Sequence, residues 1–338
     1  MVRKFLIYSI KSANLAAKNL LRKDFDLKGV KKIIVILPQG LGDVLISTPA
    51  IRALKKRFKN ARVDILAYPW SSFVLNGNPD VGKIIERKGA WFFKILREKY
   101  DLAVNFELFM DNLISFFAGA KYRIGYAIED NDLLLHKAAP YIKDRHVITY
   151  ALDVVNLIGA KSDARMDIFI PSSAEKKIKQ LIKKEKMRKI IAIAPGGGNN
   201  PYKKSPGKVW SWKKYVEVID NMDHDSTFVI LGDKNDSEIA GKIIKNVKNL
   251  KIYDFTGKMG IFESAALIKN SKLFIGNDSF LMHVASALDT PLISLFGPTN
   301  PKRLAPLNKK AIYIKKGENI EDINPSDVLK TVKSLKSR

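Results

Sequence analysis

What most constrains this chain is an alternation. From residue 33 onward, short apolar runs rich in β-branched residues are separated by amphipathic stretches with helical spacing. The first series comprises "IIVILP", "VDILAY" (63–68), "KIIE" (83–86), "LAVNF" (102–106) and "YRIGY" (122–126), with a helical stretch over 43–59 behind the first run. The second comprises "KIIAIAP" (189–195), "TFVILG" (227–232), "KIYDF" (251–255), "KLFIG" (272–276) and "PLISLFG" (291–297). Strands separated by helices build parallel βαβ units, so the pattern predicts two doubly wound α/β domains. A helix over 146–159 closes the first series, the join falls near 160–188, and a last helix lies around 326–336. Such sheets bind ligands at the carboxyl ends of their strands, in a crevice or between domains.

Length and charge narrow the function. The 338 residues contain no cysteine, which excludes disulfides, thiolate metal sites and a cysteine nucleophile. No apolar run reaches the roughly 18 residues of a membrane-spanning helix. The net charge of +25 draws the chain toward polyanions, whether nucleic acid, anionic membrane or phosphorylated small molecules, or reflects lysines spread over solvated faces. On a helix over 3–23, Lys4, Lys11, Lys18 and Arg22 form one stripe, and Leu6, Ile10, Ala13, Ala17 and Leu21 another. That basic amphipathic extension, residues 1–30, suits an anionic membrane surface or packing on its own domain. Its apolar core is too short for a signal peptide.

Three strand-end motifs can carry chemistry. In "PQGLGDVL", Gly40 and Gly42 permit a tight turn, but the third glycine of a dinucleotide fingerprint is Leu45, and no Gly-Lys-Ser/Thr follows. Asp43 reads from its type as a helix N-cap. The second motif, "APGGGNNPYKKSPGKVW" (194–210), joins Gly196 and Gly197 to Lys203, Lys204 and Lys208, a cradle for a diphosphate. In the third, over 276–303, Asn277-Asp278-Ser279 starts a helix over 279–288 capped by Asp278 or Ser279, leaving amides for an anion. His283 lies one turn deeper, and Gly297-Pro298-Thr299-Asn300 forms another polar turn at a strand end. Asp130-Asn131-Asp132 and Asp223-His224-Asp225 read as loops rather than metal sites, and no clustered metal-ligand spacing occurs.

In order and spacing these segments resemble glycosyltransferase family 9, the heptosyltransferases of lipopolysaccharide core assembly, over about residues 33–306. The likeness rests on "GLGDVLISTPAIRA" (40–53), "NPDV" (78–81), "YDLAVNF" (100–106), "YRIGY", "KVWSWKKYVEVI" (208–219) and residues 276–298. The resemblance implies a GT-B fold, two Rossmann-like domains facing across a cleft. It divides the chain into an acceptor-binding domain (31–165), a nucleotide-sugar-binding domain (166–325) and a C-terminal helix (326–338). It implies inverting, metal-independent transfer of heptose from ADP-heptose to a lipopolysaccharide core acceptor, with no cofactor and no nucleic acid.

By that likeness Asp43 is the general base and Lys208 neutralises the leaving diphosphate, with Gly40 and Gly42 in the acceptor-side loop. Gly196, Gly197, Lys203, Lys204, Asp278, Ser279, His283, Gly297 and Thr299 fall on the donor side. Asp236 holds the ribose, with Glu238 an equal register. A lipid-linked acceptor places the enzyme in the cytoplasm, peripheral on the inner membrane face. Phe280 stands where the family has glycine, Ser211 where it has proline, and the loop over 196–207 is longer than usual. These departures leave open another donor sugar for another surface glycan. A basic nucleic-acid-binding protein is the reading from a different class.

Overall fold

The structure is a computed structural model, and it describes residues 27–106, 110–127, 132, 134–197, 207–248 and 251–336. The N-terminal helix expected over 3–23 therefore lies outside the described residues, as do Lys203 and Lys204. Two compact units divide between Ala164 and Arg165.

The first unit runs β1 (Lys32–Ile36), α1 (Leu41–Ile46), α2 (Thr48–Arg57), β2 (Arg62–Ala67), α3 (Pro69–Ser72), β3 (Ile84–Glu86), α4 (Trp91–Glu98), β4 (Leu102–Asn105), α5 (Met110–Phe117), β5 (Tyr122–Ala127), β6 (Lys137–Pro140) and α6 (Val147–Asn156). Its six strands lie in the order β3-β2-β1-β4-β5-β6, and every pair is parallel. β1 and β4 are the centre of the sheet, which is why "IIVI" and "LAVN" are buried throughout.

The second unit repeats the plan with α7 (Ser172–Lys184), β7 (Ile191–Ala194), α8 (Trp212–Asp220), β8 (Phe228–Ile230), α9 (Ser237–Asn246), β9 (Ile252–Asp254), α10 (Ile261–Lys269), β10 (Leu273–Asn277), α11 (Phe280–Ala287), β11 (Leu292–Leu295), α12 (Pro301–Leu304), β12 (Ala311–Ile314) and α13 (Pro325–Lys336). The order β12-β11-β10-β7-β8-β9 is the same doubly wound topology, again all parallel. In each sheet the order reverses between the first and fourth strands, and there the helices depart to opposite faces and leave a crevice at the strand ends. The two crevices lie at β1/β4 and β7/β10.

The structure departs from the sequence expectations in four places. The helix expected over 43–59 is broken at Ser47, because Pro49 lacks an N–H and sits in the first turn of α2. The Ser47 hydroxyl donates to the Asp43 carbonyl at 2.8 Å, satisfying an acceptor at the end of α1. The joining segment near 160–188 contains α7, tied to α10 by Lys269–Glu175 and Lys177–Glu263 pairs at 2.7 and 2.5 Å. Two outer strands, β6 and β12, went unread.

Candidate active site

At the β7/β10 crevice the sequence puts glycine where backbone or carboxylate must come close. β7 ends in Ala194, and Pro195, Gly196 and Gly197 follow. Asn277, the buried last residue of β10, donates through its side chain to the Pro195 and Gly196 carbonyls at 2.7 and 3.3 Å. Its amide oxygen accepts from the buried Tyr215 hydroxyl at 2.9 Å. One side chain therefore ties the two strand ends to α8.

The next residue, Asp278, is buried, and its carboxylate receives the Lys208 ammonium at 2.9 Å. Ser279 occupies the N-cap position of α11 but makes no side-chain capping bond. That corrects the expectation of a side-chain cap at Ser279: its extended backbone starts the helix without engaging the first N–H groups. His283 is buried on the first turn and a half of the same helix.

The turn after β11 closes on the same place. A methyl group at Gly297 would meet the Gly207 carbonyl at 2.7 Å and Ile320 at 2.8 Å, and Gly207 itself has φ of +80° and packs near Pro298. Both glycines are needed for that approach. The Thr299 hydroxyl oxygen is buried with no hydrogen-bond partner, a donor and acceptor left over beside Lys208's loop. A methyl at Gly197 would press on Val209 and Lys208. Thus Gly196, Gly197, Lys208, Asp278, Ser279, Gly297 and Thr299 all gather at the strand ends of the second sheet.

Asp236 completes the group. It lies after β8, where its carboxylate is wedged against Gly196 and Gly232; a methyl on either would overlap it. It accepts the Asp233 N–H at 3.0 Å, in a reciprocal cap with the Asp233 side chain. Burial, and then the neighbouring Asp233 charge, push its pKa up to about 6. A pocket of about 300 Å³ lies beside it, lined by Gly196, Trp212, Asn235, Asp236, Glu238 and Lys242 among others. Glu238, the other register, stands at the exposed rim and pairs with Lys242 at 2.6 Å.

In the first unit, Asp43 is the third residue of α1 rather than its cap, correcting the reading by residue type. Gly40 holds the cap position and has no side chain with which to cap the helix. The exposed Asp43 carboxylate folds back over Gly40, where a methyl would overlap it. It stands at the carboxyl end of β1, beside the β1/β4 crevice.

Sequence reasoning missed Asn277 as the tie between strand ends and Gly232 as the second wall behind Asp236. Both lie in quoted motifs, but their roles arise from pairing across strands. Of the two decoys, Asp223 and Asp225 are both paired to Lys189, at 3.0 and 2.9 Å, and Asp132 lies in an irregular segment. Among the described residues no group of three His, Asp or Glu side chains is placed to hold a metal ion. No helix among them is long and apolar enough to cross a membrane.

Comparison with known proteins agrees in sequence and in fold. Residues 90–332 match the model of Glycosyltransferase family 9 (heptosyltransferase). The chain is 29% identical to lipopolysaccharide heptosyltransferase 2 of Salmonella typhimurium, over 90% of this chain and 99% of that one. It is 28% identical to lipooligosaccharide heptosyltransferase 2 of Haemophilus influenzae, over 84% and 88%. The solved Escherichia coli ADP-heptose lipopolysaccharide heptosyltransferase II superimposes with a TM-score of 0.75 at 26% identity, covering 90% of this chain and 98% of that one. A family 9 glycosyl transferase from Veillonella parvula shares the fold at a TM-score of 0.79 and 21% identity, covering 93% and 99%. Two Rossmann-type parallel sheets, the GT-B fold class of its solved relatives, and a family match over most of its length place the chain in glycosyltransferase family 9, as a glycosyltransferase of the heptosyltransferase kind.

Proposed function

We propose that this enzyme moves a heptose from ADP-heptose to a saccharide acceptor of lipopolysaccharide core assembly, by inverting displacement without a metal ion. The observation that carries this reading is the Lys208–Asp278 pair at the β7/β10 crevice, beside a helix start whose N–H groups no side chain caps. An ammonium and free amides at a helix N-terminus are the groups that stabilise a departing diphosphate.

In the proposed step the acceptor oxygen attacks the anomeric carbon from the face opposite the diphosphate. The carbon–oxygen bond to phosphate breaks, its electron pair leaves with ADP, and the acceptor proton passes to Asp43. A carboxylate in the first turn of a helix is a weak base, so the proton passes late, once the attacking oxygen has become acidic. Lys208 leaves Asp278 for the diphosphate as charge builds on it. The backbone at Gly196 and Gly197 admits the nucleotide, and Asp236 accepts from the ribose hydroxyls in the adjoining pocket. Ser279, His283, Gly297 and Thr299 complete the donor side, to which the resemblance adds Lys203 and Lys204, with Gly40 and Gly42 shaping the acceptor side.

The relatives named as heptosyltransferases of lipopolysaccharide and lipooligosaccharide support the substrate pair. A lipid-linked acceptor puts the proposed enzyme on the cytoplasmic face of the membrane, and the basic sequence of residues 1–30 suits that surface. The test is turnover by purified protein given ADP-heptose and a heptose-free core acceptor, with the product's anomeric configuration read by NMR. An inverted product formed in excess EDTA is expected. A retained configuration overturns the displacement, and consumption of another nucleotide sugar in place of ADP-heptose overturns the donor.

A further inference from the structure

We infer that the outward face of α4 and α5 is a docking surface for an anionic lipid bilayer. On α4, Ile95 is the buried residue, while Phe93 is 65% and Leu96 41% exposed. At 100° per residue Phe93 points away from the core, and Leu96 follows the flank of Phe92, four residues before it. On α5, Phe117 is 63% exposed and follows the flank of Ile114. Phe92 and Ile114 pack against one buried cluster containing Ile34, Ile95 and Ala118. Phe93, Leu96 and Phe117 are therefore carried on two helices that pack against the same cluster, on one side of the sheet. Large apolar side chains grouped in the open mark an interaction surface.

The charge around them selects the partner. Arg97 sits one turn after Phe93, with Lys94 beside it and Lys88 just ahead of the helix. All three line a groove of about 850 Å³ against the edge strand β3 and form no ion pair among the described residues. The acids of the groove are occupied: Glu98 is paired with Arg62, with Lys83 at 2.7 Å and with Lys32 at 3.3 Å, and Glu86 accepts the Ser72 hydroxyl at 2.8 Å. Aromatic and aliphatic tips ringed by uncompensated cations fit a surface that is apolar below and anionic above. A second copy of the same face would oppose these cations to each other.

The inference rests on the lipid-linked acceptor proposed above for its purpose alone, because binding is measured without either substrate. Full-length protein is mixed with vesicles of phosphatidylethanolamine and phosphatidylglycerol, with phosphatidylcholine vesicles as control. Partitioning is followed by co-sedimentation, and insertion by quenching of tryptophan emission with brominated lipid. The triple variant F93S/L96S/F117S should lower partitioning into anionic vesicles about tenfold, at unchanged thermal stability. K94E/R97E should lower it comparably, and Trp91→Phe should remove most of the quenching. Unchanged partitioning of both multiple variants overturns the inference, whatever sugar the enzyme transfers. A dimer seen by light scattering that the triple variant dissolves, with vesicle binding intact, overturns it in favour of self-association.

Discussion

At the residue scale the most informative side chain is Asp236, because its position works against stability. Wedged between Gly196 and Gly232, it has its pKa raised to about 6 from an unfolded value near 3.8. The folded chain therefore binds more protons than the unfolded chain between these values. The stability linked to this group is fully present below the unfolded pKa and is lost as pH rises through about 6. Each pH unit of displacement is worth about 1.4 kcal/mol, so the cost at neutral pH is at most about 3 kcal/mol. Asp236→Asn removes the charge at nearly constant shape. It is expected to raise the melting temperature at about pH 7.5 and to gain far less at about pH 4, while weakening nucleotide binding. A variant less stable at neutral pH would show the carboxylate to be structural. Asp43 tests differently: Asp43→Asn should abolish turnover and leave nucleotide binding near wild type, measured by calorimetry with ADP. Retained kcat sinks its role as base. Asp43 was visible in the sequence within a strand-end motif, whereas Asp236 came only from the resemblance, with Glu238 an equal register. The roles of Asn277 and Gly232 were not visible, since a side chain bridging two strands leaves no local pattern.

At the scale of elements, each unit rests a carboxylate on a glycine just past its first strand: Asp43 on Gly40 after β1, and Asp236 on Gly196 after β7. Neither glycine has a positive φ, so space rather than backbone freedom demands it. Gly196→Ala must displace the Asp236 carboxylate, and overpacking of this kind costs about 1–3 kcal/mol. The expected result, if the displaced carboxylate loses that much of its contact with the nucleotide, is a several-fold to about hundredfold loss in nucleotide affinity, since about 1.4 kcal/mol is a factor of ten. Gly40→Ala should instead lower kcat with nucleotide affinity unchanged, and equal effects of the two on affinity would refute this division. The strands flanking these glycines were legible because central parallel strands are continuous apolar runs. β6, "KAAP", has no β-branched residue and only Ala139 buried, and β12 buries only Ile314 among flanking lysines. Edge strands have one neighbour and little core to face, and of the four here only β3 and β9 left a readable run, "KIIE" and "KIYDF". The break at Ser47 was readable from Pro49, but the helical periodicity of the whole segment outweighed it.

At the scale of the whole molecule, each unit owns a complete six-stranded sheet and its own apolar core. The second unit's core joins α8, α9 and α13 to its strands through Trp210, Tyr215, Ile243 and Val328, with the Trp210 indole donating to the Ile323 carbonyl at 3.0 Å. α7, in the segment expected to join the two domains, is held to α10 by two ion pairs within the same unit. Every donor-side residue proposed above also lies in this unit. A fragment beginning at Arg165 should therefore fold by itself and bind ADP, whereas one ending at Ala164 should fold and bind none. A ligand at 100 times its dissociation constant adds about 2.7 kcal/mol to stability, enough to resolve in a thermal melt. A second-unit fragment that folds cooperatively but shows no shift with ADP would mean that groups from the first unit are needed to hold the nucleotide.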